Sequence, residues 1–161
     1  MATSDFFLKI DGIEGESKDS KHQGEIEVLS WSMGAANEGT MGRAGGGGAG
    51  KVVFSDMQFT KEACKASPKL LLACATGQHI KKAVLTARKA GNEQQEFLVV
   101  TMEEVLVSSF NSSGGVGSSI PQESFALNFA KIVVEYKPQK EDGSLESPVK
   151  AGFDVKKNVK V

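Results

Sequence analysis

Apolar residues alternate with polar ones along most of this chain, at the period of two that puts every second side chain on one face of a β-strand. Phe6, Leu8 and Ile10 alternate with Asp5, Phe7 and Lys9, so a strand opens the chain. Phe153, Val155, Val159 and Val161 stand against Asp154, Lys156, Asn158 and Lys160, which predicts one closing strand. Three intervening strands change phase. Ile26 and Val28 give way to Leu29, Trp31 and Met33; Val52 and Phe54 to Met57 and Phe59; Phe125, Leu127 and Phe129 to Ile132, Val134 and Tyr136. A phase change in a period-two pattern signals a bulge or a corner. Three of them predict strongly bent strands, as in a closed or nearly closed barrel.

One segment departs from this period. Ser67 suits a helix N-cap, Pro68 the first helical position and Gly77 the stop, which predicts a short helix over about 67–76. It is mostly apolar and caps a core. Turn residues divide the rest: Asp11-Gly12, Glu14-Gly15 and a hairpin at Gly91-Asn92, with residues 16–24 read as a solvated loop. Residues 37–50 and 111–119 read as two long Gly/Ser-rich loops, and 137–150 as a polar connector. The fold class is therefore mainly β: a bent barrel of two sheets, one flanking helix and one extended loop, in a single domain over 1–161.

Several strands are apolar on both faces. Leu98, Val100 and Met102 oppose Phe97 and Val99, and Val105 and Val107 oppose Leu106. One face lines the core. One short helix cannot cover the other, which predicts self-association.

Composition narrows the function classes. The 161 residues carry a net charge of −1 with scattered basic residues, so neither nucleic acid nor an anionic membrane is an expected partner. No stretch approaches the ~18 apolar residues of a membrane span, and the N-terminal residues do not resemble a cleaved secretory leader. Folding in the cytoplasm is the expectation.

Candidate chemistry is sparse. Gly45-Gly46-Gly47-Gly48-Ala49-Gly50-Lys51 spells the start of a phosphate-cradling loop, but Val52 stands where a magnesium-binding hydroxyl is needed. The following residues have strand rather than helix composition. Cys64 and Cys74 make no disulfide framework, and Cys64, Cys74 and His79 fit no common zinc spacing. No catalytic, metal or cofactor site is expected.

The chain resembles the Hcp (haemolysin-coregulated protein) family, the tube subunit of the bacterial type VI secretion system. The strings that carry the resemblance include Phe7-Leu8-Lys9-Ile10 with Gly15-Glu16-Ser17-Lys18-Asp19, and Glu25-Ile26-Glu27-Val28-Leu29-Ser30-Trp31-Ser32. Others are Gly47-Gly48-Ala49-Gly50-Lys51-Val52, Lys65-Ala66-Ser67-Pro68-Lys69-Leu70, Leu85-Thr86-Ala87-Arg88-Lys89-Ala90-Gly91, Glu104-Val105-Leu106-Val107-Ser108-Ser109 and Tyr136-Lys137-Pro138-Gln139-Lys140.

The resemblance implies six copies in a ring, rings stacked into a hollow tube, and a contractile sheath that drives the tube and its spike protein into a target cell. Small effector proteins ride in the lumen. It implies a structural role without enzymatic activity, and exit from the cytoplasm through the machine without a cleaved leader. No toxic C-terminal extension is expected. The extended loop, with Met41, Arg43, Gly45, Gly46, Gly47, Gly48, Gly50 and Lys51, matches the family's segment that contacts neighbouring subunits and rings. The second loop, with Asn111, Ser112, Ser113, Ser118 and Ser119, matches its lumen-facing segment and is the candidate cargo surface. Two readings compete with this one. The first is a solitary β-barrel binding module using the two loops as its ligand site. The second is an enzyme using Lys51 or the Cys64, Cys74 and His79 set.

Overall fold

The computed structural model describes residues 4–42, 45, 48–89 and 94–161. Among these residues the strands and the helix follow in the order β1 (Ser4–Ile10), β2 (Ile26–Val28), β3 (Ser30–Ser32), β4 (Ala35–Gly39), β5 (Ala49–Phe54), β6 (Met57–Glu62), α1 (Ser67–Thr76), β7 (Ile80–Lys89), β8 (Glu96–Ser113), β9 (Gln122–Tyr136), β10 (Val149–Asp154) and β11 (Val159–Lys160). Nine strands share one sheet, running β11-β10-β9-β8-β7-β1-β2, with β6 joined to β9 and β3 to β6. β4 and β5 form a separate two-stranded sheet.

The three phase changes mark places where the chain exchanges partners. β9 pairs with β8 along its length, but its other edge meets β6 over residues 122–127 and β10 over 131–136. Its inward set changes from Phe129 to Ile132 between those two stretches. Val28 pairs with Phe6 of β1, whereas Ser30 pairs with Thr60 of β6, and between them the Leu29 N–H donates to the Thr60 carbonyl at 2.8 Å. The third change falls between β5, in the small sheet, and β6, in the large one. The nine-stranded sheet is therefore bent around the core, and its two branches meet at the β2–β3 corner rather than as one closed ladder. β8 adds its own bend. It carries an extra residue between Val107 and Ser109, and Glu104 adopts a φ of 51°.

The core lies inside this bend. Leu8, Ile26, Met57, Leu85, Met102 and Leu127 are buried there, and Phe59 stacks on Phe125 with ring centroids 5.1 Å apart. Helix α1 closes one side through Leu70 and Ala73 and leaves Leu71 and Leu72 exposed. Burying a leucine such as Leu70 contributes roughly 1.5–3 kcal/mol. Gly77 ends the helix in the left-handed conformation (φ 64°), which glycine adopts without a Cβ penalty.

Several expectations are corrected. Ser67 is not the N-cap: Ala66 holds that position and has no polar side-chain atom to offer, while the Ser67 hydroxyl accepts from Lys61 and the Cys64 N–H and donates to Glu123. The single closing strand is a hairpin of β10 and β11, turned by Asn158 at φ 58° and by the Asp154 Oδ1 that accepts from the Lys157 N–H. Residues 16–24 are not simply a solvated loop, since Ser17 and His22 are buried. Residues 35–39 are strand despite their polar, glycine-containing sequence, because β5 supplies the missing partner. Asn111, Ser112 and Ser113 belong to β8, paired with Ser124, Glu123 and Gln122. The expected turn at Gly91-Asn92 lies outside the described residues, although β7 and β8 pair up to Arg88 and Glu96.

Candidate functional site

The extended loop is a β-hairpin for much of its length. β4 is exposed at every position, yet its backbone is paired with β5 from Ala35–Phe54 to Gly39–Ala49. The Asn37 side-chain amide donates to the Gly50 carbonyl at 2.9 Å. Thr40 closes the paired region: its N–H and hydroxyl donate to the Gly48 carbonyl at 3.1 and 2.7 Å, and its hydroxyl accepts from the Gly48 N–H at 2.9 Å. A Cβ on Gly50 would meet the Glu38 carbonyl oxygen at 3.0 Å, so this glycine permits close backbone approach. Met41 and Val53 expose apolar side chains. At the base, Phe54 packs on Phe129 and Phe153 at 5.9 and 5.7 Å and anchors the hairpin to the main sheet. Of the residues expected on this loop, Met41, Gly45, Gly48, Gly50 and Lys51 are brought onto the hairpin, and Arg43, Gly46 and Gly47 lie outside the described residues. Lys51 sits on strand β5, which does not present the helix N-terminus that a phosphate-binding loop requires.

The second candidate segment is divided between a strand and a turn. Asn111, Ser112 and Ser113 end β8, while Ser118 and Ser119 lie beyond it. The Ser118 N–H donates to the Gly115 carbonyl and its hydroxyl to the Ile120 carbonyl, so a turn holds this tip and projects Val116 fully into solvent. Ser112 faces a buried network instead. Its hydroxyl donates to Glu123 Oε2 at 3.0 Å. Glu123 Oε1 takes the Lys61 ammonium at 2.5 Å and the Ser67 hydroxyl at 2.6 Å. Burial pushes the Glu123 carboxyl up, but the hydrogen bonds from Lys61, Ser67 and Ser112 outweigh it and hold the group below its ordinary value. Three strands and the first turn of α1 are tied at this point.

A further polar cluster covers the outer face of β1 and β7. Arg88, 2 % exposed, donates to Asp19 at 2.9 and 2.7 Å and to Asp5 at 3.2 Å, and its guanidinium lies 4.8 Å from the centre of the Phe7 ring. These bonds raise the Arg88 pKa, chiefly through Asp19. In return the Arg88 side chain, then the Lys21 N–H, hold the Asp19 carboxyl well below the usual carboxylate range. His22 stacks flat on Phe7 at 4.4 Å, with its ring nitrogens 2.9 Å from Glu25 and 2.7 Å from Glu96. The 16–25 segment thus supplies part of the cover that the two-faced strands require.

Sequence reasoning missed both clusters, though a signal for one was present. Lys61 follows Met57 and Phe59, and Glu123 precedes Phe125 and Leu127, so opposite charges occupy inward positions on two strands. Cys64 and Cys74 are free and half-buried, and His79 is exposed. Among the described residues, no three His, Cys, Asp or Glu side chains come together as a metal-binding group. No helix among them is long and apolar enough to cross a membrane.

Comparison with known proteins supplies the context for these surfaces. Residues 7–136 match the family model described as type VI secretion system effector, Hcp. Protein hcp1 of Pseudomonas aeruginosa is 48% identical over 157 residues, covering 96% of this chain and 97% of that protein. A solved type six secretion system protein superposes with a TM-score of 0.92 at 33% identity, covering 99% of this chain and 100% of its own. Hcp1 from Salmonella typhimurium superposes with a TM-score of 0.80 at 35% identity, with both chains covered in full.

Proposed function

This chain belongs to the Hcp family of type VI secretion system proteins, and from that premise we propose that it is the structural subunit of the secretion tube. Six copies close a ring, rings stack into a hollow conduit, and the conduit is expelled with a spike protein by a surrounding sheath. The subunit is a single domain over 1–161 and acts as a building block, not as an enzyme. It leaves the cytoplasm through the machine.

The observation that carries this reading is the β4–β5 hairpin. It is a sheet of its own, with β4 exposed throughout and apolar Met41 and Val53 uncovered. A paired strand rises about 3.3 Å per residue, so such an arm reaches far enough to engage a neighbouring copy. An isolated hairpin is marginal in water, which favours a role in which a second subunit packs on it. Met41, Gly45, Gly48, Gly50 and Lys51 are the residues assigned to that contact, with Arg43, Gly46 and Gly47 in the same segment.

Small effector proteins travelling in the lumen meet Asn111, Ser113, Ser118 and Ser119 in this reading. Ser112 holds the surface from beneath through Glu123. Hydroxyls and one amide, without charge, suit weak and releasable contacts. Negative-stain imaging of the purified chain along the particle axis tests the proposal. Annular particles with sixfold symmetry support it, and a field of single-subunit particles refutes it.

A further inference from the structure

Of the chain's two histidines, His79 is exposed and His22 is buried. Both ring nitrogens of His22 meet carboxylates: Nδ1 lies 2.9 Å from Glu25 Oε2, and Nε2 lies 2.7 Å from Glu96 Oε1. Among the described residues, neither Glu25 nor Glu96 has another ion-pair partner. A neutral imidazole carries one N–H, so it donates to one carboxylate and turns a lone pair toward the other. At these distances the second contact is repulsive. A protonated ring carries two N–H donors and satisfies both carboxylates with charge-assisted bonds. The surrounding charges act in the same direction. Asp19 and Glu25 come from the segment that carries His22, Glu96 from the start of β8 and Asp5 from β1. Against them, Arg88 of β7 is already bonded to Asp19 and Asp5, Lys18 and Lys21 are exposed, and Lys89 turns to Gln139 and Phe97. Asp19 is held low chiefly by Arg88, and the charge of His22 adds to that pull.

We infer that His22, stacked on Phe7 between Glu25 and Glu96, is a pH-sensitive latch that holds the 16–25 segment against the start of β8 while its ring is protonated. The ring ties three parts of the chain together: its own segment, Phe7 of β1 and Glu96 of β8. The segment is otherwise closed by bonds of its own, from the Ser17 N–H to the Glu25 carbonyl at 3.0 Å and from the Gly24 N–H to the Ser17 carbonyl at 2.8 Å. Loss of the proton turns one of the two carboxylate bonds into a repulsion. Glu96, the more exposed of the two partners, then moves into water, and the segment loses its tie to β8. The direction of the pH effect follows from linkage. A histidine in an unfolded chain releases its proton near pH ~6.5. The paired imidazolium therefore stabilises the closed segment in full below that pH, and the stabilisation is lost as pH rises above it. Asp19 stays ionised throughout this range, so its own bond to Arg88 does not contribute to the change.

Amide hydrogen exchange, read by mass spectrometry at about pH 6 and about pH 8 and corrected for the intrinsic rate, tests the latch in the full chain. Three proteins are compared: the parent, Glu96→Gln and His22→Gln. Peptides of β9 serve as the internal control, and their unchanged exchange establishes that each variant is folded. In the parent, protection of the 16–25 segment is expected to fall on the order of tenfold from the lower pH to the higher, the scale of one charge-assisted hydrogen bond. A carboxamide at position 96 accepts from a protonated ring and, turned over, donates to a neutral one. Glu96→Gln is therefore expected to keep the segment protected at the higher pH and to remove most of the fall. His22→Gln is expected to lower protection at both pH values and to remove the fall altogether. Equal protection of the parent segment at the two pH values overturns the latch. A fall in either variant as large as the parent's overturns it as well, because the titrating contact then lies elsewhere.

Discussion

The ammonium of Lys61 meets the carboxylate of Glu123 at 2.5 Å across the paired strands β6 and β9, and neither residue is open to water. Such a pair places one charge in an apolar interior if its partner is removed, a loss of about 3–5 kcal/mol. Lys61→Ala is therefore expected to lower the urea midpoint sharply at fixed protein concentration. Replacing Lys61 with Met and Glu123 with Leu together is expected to cost less than Lys61→Ala alone, because no charge is then stranded. A double variant less stable than the single one would show that the pair is not the dominant contact at this position.

The Arg88–Asp19 contact predicts a pH dependence. Asp19 has a carboxyl pKa depressed in the folded chain, chiefly by the Arg88 hydrogen bond. The unfolded chain takes up that proton first as pH falls, near the ordinary value of about 3.9. The stabilisation is therefore complete above that pH and is lost progressively below it. Asp19→Asn is expected to lower the melting temperature at neutral pH and to flatten its decline between about pH 4 and pH 2. Glu123, also depressed, keeps part of the decline in place. An unchanged acid slope in the variant would remove Asp19 from the account.

How far the fold was legible in the sequence depended on whether a residue's environment was set locally. The inward residues of β1, Leu8 and Ile10, and the stop at Gly77 follow from neighbours within a few positions. The phase changes near Leu29 and between Phe129 and Ile132 were visible, but the partner exchange that causes them involves strands distant in sequence. β4 was unreadable because Ala35–Gly39 has no apolar alternation, and its pairing with β5 alone makes it a strand. His22 fell in a segment read as a solvated loop, and nothing in the sequence pattern marked Arg88 as buried. They are buried because the 16–25 segment folds back over Phe7, a long-range event that no local pattern records. At the proposed assembly surfaces, the extended loop announced itself through its glycines.

The hairpin is predicted to tolerate loss of charge and to resist added bulk. Gly50→Val places a side chain 3.0 Å from the Glu38 carbonyl oxygen and should distort the β4–β5 pairing. Lys51→Ala removes an exposed charge that contributes at most about 1 kcal/mol at a surface pair. Tube stacking and secretion should therefore fall in Gly50→Val and change little in Lys51→Ala. The opposite order in electron micrographs and a secretion assay would contradict the packing role of this segment.

The central claim is that this chain closes into a ring, and the mass of the assembled particle addresses it most directly. Sedimentation velocity over the micromolar range, in buffer of low ionic strength, is predicted to give one dominant species of about six chain masses. A single species of one chain mass throughout that range would contradict the account.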